Sequence, residues 1–363
     1  MNSIQIQLNL TSPLYIAYPD NVDKTANVSR TTKLRLMNNG RLYDLPIYPA
    51  NGFRGGLRRA AAARVVEALS AKEGPVPGDL YLGLTCGASS ASPDQTPKTV
   101  EEIIRGRGNV YMGLFGGGAR LLSSMYRVSD MLPVLQATIE TGAVPDYLAE
   151  LVMPKFQKEG EPAKHAGPWE VMSERTSIRV DDLYRVMRPE EIKAYVKNPL
   201  ETVAAHQDGV LANKEGRKTD GDTKTDVSNM MGIETVAPGV PFYFCIDLDK
   251  DVTPGQVGML LLSLRDLFQE NAFGGWTRCG FGKVRVNQIK IAYDDQDLAW
   301  SDFYGTSHFE LPDAANVYTS QAQEEIGSLT TAEMASFFED FSAGKKAEAK
   351  AKAKAKKTAP AEA

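Results

Sequence analysis

TPGQVGMLLLSLRDLFQENAFGGWTRCGFGKVRV, residues 253–286, reads as a helix, a glycine-rich turn and a strand. Thr253 is placed to cap the helix and Pro254 to start it, while Leu260, Leu261, Leu264, Leu267 and Phe268 form its apolar stripe. Nucleotide-binding glycine loops run from a strand into a helix whose amino end receives the phosphate. This loop runs from a helix into a strand and has the spacing of neither GxxxxGK[ST] nor GxGxxG, which argues against an ATP or NAD site. Four glycines, Trp276 and the cations Arg278, Lys283 and Arg285 share residues 274–286 without an acid among them. Glycines let backbone amides approach a phosphate chain while basic side chains neutralise it. Trp276 either stacks on a base or plugs the core.

Working outward, PFYFCIDLD (241–249) is an apolar run suited to a central strand before the helix, and KVRVNQIKIAY (283–293) continues as a strand after the turn. At the other end of the chain Ile4, Ile6, Leu8 and Leu10 alternate with Gln5, Gln7 and Asn9, the pattern of a half-buried strand. A polar, basic loop is expected next. In YPANGFRGGLRRAAAARVVEALS (48–70), Asn51 is the expected cap of a helix reaching about Leu69. Gly52, Gly55 and Gly56 are unfavourable inside a helix and imply close approach of another backbone. Residues 71–170 read as an insertion with short helices, SERTSIRVDDLYRV (173–186) as a strand or hairpin, and the polar residues 205–235 as a protruding hairpin or loop. The skeleton of strand, helix, strand region, strand, helix, strand predicts an α+β, ferredoxin-like (RRM-like) fold.

The net charge of −5 conceals a segregation. Residues 291–343 hold eleven acids and no lysine or arginine, and the last twenty residues hold seven lysines against two glutamates. The remainder is close to neutral, yet 30–64 holds eight basic residues and one acid, Asp44, which is either a footprint for polyanions or a solvated helix face. Aromatic residues in the acidic segment, among them Trp300, Phe303, Phe309, Phe337, Phe338 and Phe341, predict that it packs on the body or on a neighbouring copy. Three well-separated cysteines argue against a disulfide framework or a zinc site. No apolar run suits a membrane span and no leader pattern is present, so a cytoplasmic location is expected.

Four stretches carry a family likeness. IYPANGFRGGLRR (47–59) resembles the IPGSSLKGxLR signature of the RAMP superfamily, the RNA-binding subunits of CRISPR effector complexes, and GGWTRCGFGKV (274–284) resembles their GGxxxRGxGKV loop. LFGGGARLLSSMYRVSD (114–130) is similar to the family's FGS followed by a short arginine-rich strand, and SERTSIRVDD (173–182) to its T-x-I-D-R stretch. The nearest likeness is to the backbone subunit of type IV CRISPR systems. The resemblance implies an RRM-like palm (1–70 and 236–298), a helical finger insertion (71–170) and a strand region with a protruding thumb hairpin (171–235), while composition marks off an acidic aromatic segment (299–343) and a disordered lysine-rich tail (344–363).

It also implies a filament of several copies along one CRISPR RNA, presenting the guide to a complementary target with DNA ahead of RNA, alongside other effector subunits and without cofactor, metal or membrane. The candidate RNA contacts are Arg30, Lys33 and Arg35 after the first strand, and Asn51, Arg54, Gly55, Arg58 and Arg59 at the helix start. Arg120, Arg127, Arg175 and Arg179 follow in the two middle motifs, and Gly274, Gly275, Trp276, Arg278 and Lys283 in the glycine loop. Met230 and Met231 are either wedges at the thumb base or ordinary hydrophobic anchors. Related type III subunits cut target RNA with an aspartate upstream of the helix motif, whereas NVSRTTKLRLMNNG (27–40) has no acid, so no cleavage is expected. His165, His206 and His308 are scattered among expected loops; a CRISPR RNA-processing ribonuclease and an RNA-independent scaffold are the alternatives.

Overall fold

The computed structural model describes residues 2–23, 28–87, 99–119, 121–154, 165–178, 194, 197, 230–293, 296–301, 311 and 313–338. The chain forms two compact units, one of Met1–Asn21, Arg30–Ser173 and Glu234–Ala363, the other of Val22–Ser29 and Glu174–Ile233. In chain order the elements are β1 (Ser3–Leu10), β2 (Ala17–Asp23), β3 (Val28–Thr31), β4 (Lys33–Asn38), β5 (Arg41–Pro46), α1 (Ala50–Glu73), α2 (Gly78–Cys86), α3 (Val100–Gly108), α4 (Met112–Phe115), β6 (Tyr126–Val128), β7 (Leu132–Pro133) and α5 (Gln136–Glu140). They continue with β8 (Met172–Ile178), β9 (Met230–Val236), β10 (Pro241–Leu248), α6 (Pro254–Glu270), β11 (Val284–Tyr293), β12 (Gln296–Ser301), α7 (Asn316–Ser328) and α8 (Thr331–Ser336).

The larger unit is built on an antiparallel sheet in the order β12-β11-β1-β10-β6, with β7 also pairing to β10. With α1 between β1 and β6 and α6 between β10 and β11, the order β11-β1-β10-β6 is the ferredoxin-like one expected from the skeleton. The alternation of β1 is what drives it. Ile6 lies opposite Phe244 on one side and Ile289 on the other, and the Ile4, Ile6, Leu8, Leu10 face is buried. Its inward side chains meet α1 and α6, where Phe53 packs edge-on to Phe244 at 4.5 Å. Arg64 of α1 grips Asp266 of α6 through both carboxylate oxygens, fixing the helix pair.

Local expectations held unevenly. Thr253 caps α6 in a reciprocal box with Gln256, and Pro254 is its first residue. Asn51 does not cap α1. The helix starts at Ala50 after Pro49, and the free Ala50 amide is taken by the Asp130 carboxylate at 2.7 Å, a cap supplied from 80 residues away. Gly56 makes room for the Leu267 side chain rather than for a backbone. The stretch expected to be a basic loop contains β2, β3 and the β4–β5 hairpin, whose Asn39–Gly40 turn has both φ angles positive, as a two-residue hairpin requires.

The acidic segment packs on the body over its described part. α7 lies so close to α6 that a Cβ on Gly258 would collide with the Tyr318 carbonyl, and Ala322, Ile326, Met334, Phe337 and Phe338 join the main core. In the smaller unit, Val28 and Ser29 of β3 pair in parallel with Gly232 and Ile233 of β9. The thumb stretch 201–229, the tail and the segment 88–98 lie outside the described residues, and Met230 and Met231 open β9.

Candidate nucleic-acid interface

α1 carries Arg54 and Arg58 one turn apart, with Arg59 next to them. Arg54 donates to the Ser124 hydroxyl at 3.1 Å and lies over the Tyr126 ring at 5.5 Å, while its Nε is buried without a hydrogen-bond partner among the described residues. Arg58 is held more firmly. Its guanidinium donates to the carbonyls of Phe115 and Gly116 and lies over the Phe115 ring. The LFGGG motif therefore serves as a clamp for this arginine. Arg59 is exposed. Together with Asn51, Gly55, Tyr81, Thr85, Cys86 and Tyr126 these arginines line a cleft of about 470 Å³ that has no carboxylate among the described residues of its wall. Burial pushes the Tyr126 hydroxyl pKa up, and the positive charges of Arg54 and Arg58 partly oppose it.

The glycine loop adjoins the start of α1 through Tyr48. Burial raises the pKa of this tyrosine, and the Gly274 backbone and the positive charge of Arg59 partly oppose it. Its ring lies against Gly52 and 6.0 Å from Phe273, and Phe273 stacks on Phe53. The glycines have a structural use. Gly274 and Gly282 both take φ of +76°, and a Cβ at either would strike a carbonyl oxygen, that of Tyr15 or of Phe273. The amides of Gly275, Gly280 and Gly282 are bonded to the carbonyls of Tyr15, Thr277 and Pro13. The amides of these three glycines, read from the sequence as phosphate donors, are engaged within the protein. The side chains of Trp276, Arg278 and Lys283 are exposed instead.

The other candidates are elsewhere. Arg30 and Lys33 both pair with buried Glu234, Lys33 at 2.9 Å, and Lys33 also lies over the Trp169 ring. Arg35 pairs with Asp44 across the β4–β5 hairpin, and Arg127 with Asp249. Arg175 is exposed on β8 in the smaller unit. Arg120 and Arg179 lie outside the described residues, as do His206 and His308; His165 is exposed and pairs in a bridge with Pro154. The sequence reading missed Tyr48, Tyr81, Thr85, Cys86, Ser124 and Tyr126. Tyr48 and Tyr126 sit inside the quoted motifs, but nothing in α2 marks Tyr81. Among the described residues no acid, histidine and cysteine cluster suits a metal ion, and no helix is long and apolar enough to cross a membrane.

No protein-family model and no curated protein matches the sequence. Among solved structures, a chain described as "Type IV-B CRISPR Complex" is similar in fold, with a TM-score of 0.45 and 17% identity, covering 84% of this chain and 96% of that one.

Proposed function

We propose that this protein is a non-catalytic backbone subunit of a CRISPR effector complex, binding CRISPR RNA along the α1 cleft and the glycine loop. The observation that carries the reading is the meeting of two motifs more than 200 residues apart, where the Tyr48 ring lies 6.0 Å from Phe273, together with an arginine cleft that has no carboxylate among its described lining residues and a loop exposing Arg278 and Lys283. A sugar-phosphate chain is the polyanion such a strip suits. Because a guide varies in sequence, affinity has to come from phosphates rather than base edges. The four ordered motifs of the sequence support the assignment to the RAMP superfamily, and with it a filament of copies on one guide, other effector subunits as partners and a complementary target, DNA ahead of RNA. The acid-free stretch 27–40 supports binding without cleavage.

Three exposed cations, Arg59, Arg278 and Lys283, neutralising one phosphate each give a slope of about −2 per copy in log affinity against log salt. The test is RNA carried through purification. Arg59→Glu combined with Arg278→Glu should strip it, since both residues are exposed and the fold does not depend on them. RNA retained at wild-type level, or a wild-type protein that purifies free of nucleic acid, would refute the reading. Cleavage of a repeat RNA in a gel assay would favour the processing enzyme.

A further inference from the structure

We propose that Tyr81 is a base-stacking platform, so that the α1–α2 cleft holds one whole nucleotide of single-stranded RNA rather than its phosphate alone; this deepens the functional reading above and rests on it. α2 buries Leu80, Gly83 and Leu84. Tyr81 and Thr85, one turn apart, line the cleft instead, facing the same space as Arg54 and Arg59. Tyr81 is 50% exposed, and its hydroxyl has no partner among the described residues. The large aromatic side chains that serve packing behave differently here: Phe53, Tyr111, Phe115 and Tyr126 are all almost fully buried against other rings.

Two complementary needs therefore converge on one cavity. Arg59 is an exposed cation and Arg54 lines the cleft beside it, so that side of the cleft suits phosphate oxygens. The Tyr81 ring, half exposed in the same cleft, suits a flat apolar surface. A nucleotide carries both groups at fixed separation. The volume of about 470 Å³ falls in the range of small-molecule pockets and is too small for a duplex. Stacking is also tolerant of sequence, because every base has a π-face, which matches a strand of variable sequence.

The experiment uses full-length protein freed of RNA, with a short single-stranded RNA and an otherwise identical abasic ribose-phosphate strand. Tyr81→Ala should weaken binding of the intact RNA about 10-fold and leave binding of the abasic strand unchanged. Tyr81→Phe, which keeps the ring, should bind the intact RNA like wild type, whereas Tyr81→Leu, which keeps apolar bulk and guards against a folding defect, should behave like Tyr81→Ala. Wild-type affinity of Tyr81→Ala or Tyr81→Leu for the intact RNA would overturn stacking while leaving the RNA-binding function intact. Equal weakening on both strands would also overturn it. Failure of wild-type protein to bind either strand would instead remove the functional reading beneath it.

Discussion

Arg58 and Arg59 are neighbours in sequence with opposite expected roles. Arg58→Ala removes the guanidinium donors from the carbonyls of Phe115 and Gly116 and its contact with the Phe115 ring. Hydrogen bonds to a charged donor contribute about 1.5–3 kcal/mol each, and the carbonyls left behind can recover part of that from water entering the cleft. A loss of about 3 kcal/mol follows. For a chain of 363 residues the unfolding entropy is about 0.8 kcal/mol per degree, so the melting temperature should fall by about 4 °C. Arg58→Lys should recover little, since an ammonium cannot span two carbonyls as the planar fork does. Arg59→Ala should leave the melting temperature unchanged and weaken RNA binding, flattening the salt dependence by about 0.7 of a unit of slope. Calorimetry and salt-titrated RNA binding on the three variants give the answer. Equal melting temperatures for Arg58→Ala and Arg59→Ala would refute the division between a clamped and a free arginine.

Gly258→Val should destabilise the protein by about 1–3 kcal/mol or more and loosen α7 to proteolysis, because the new side chain meets the Tyr318 carbonyl; a wild-type melting curve would contradict the α6–α7 packing. Tyr48→Ala, which removes the ring beside Phe273, should cost about 3 kcal/mol and raise amide exchange across residues 274–282, and unchanged exchange would separate Tyr48 from the glycine loop. Burial, then the neighbouring Asp247 carboxylate, push the Cys245 thiol up to about 12, so at pH 8 only about one molecule in 10⁴ presents a thiolate. Iodoacetamide should thus modify exposed Cys86 and Cys279 while sparing Cys245 until the pH approaches that value or the protein unfolds; prompt labelling of Cys245 in folded protein would contradict its burial.

The sheet was legible because its signals are short-range. The alternation of residues 4–10, the apolar run 241–249 and the Thr253–Pro254 helix start each declare an element without help from distant residues. What failed depended on partners far away in sequence. Asp130 caps α1 from a different motif, so Asn51, with the right chemistry one residue inside the helix, took the assignment. The hairpin at 33–46 was hidden beneath its basic residues, although Asn39–Gly40 is a turn signal in its own right.

The site divides the same way. Basic residues could be listed from the sequence, but their availability could not: Arg30 and Lys33 are drawn to Glu234, Arg35 to Asp44, and Arg58 to carbonyls of the LFGGG motif. The glycine loop stands out in the sequence, but the backbone contacts its glycines make are long-range and carry no local signal. Its glycines let two backbone segments touch, and the cationic side chains beside them are what remains for a ligand. Tyr81 joined the cleft only when α2 packed beside α1, a contact no local pattern encodes.

The account turns on one strand of RNA covering both the cleft and the glycine loop. Cys86 lines the former and Cys279 lies in the latter, and both are exposed, so rates of alkylation with and without bound single-stranded RNA report on the two places at once. Strong protection of both thiols on RNA binding is the predicted result. Protein saturated with RNA in which Cys86 and Cys279 react as fast as in the free protein would contradict it.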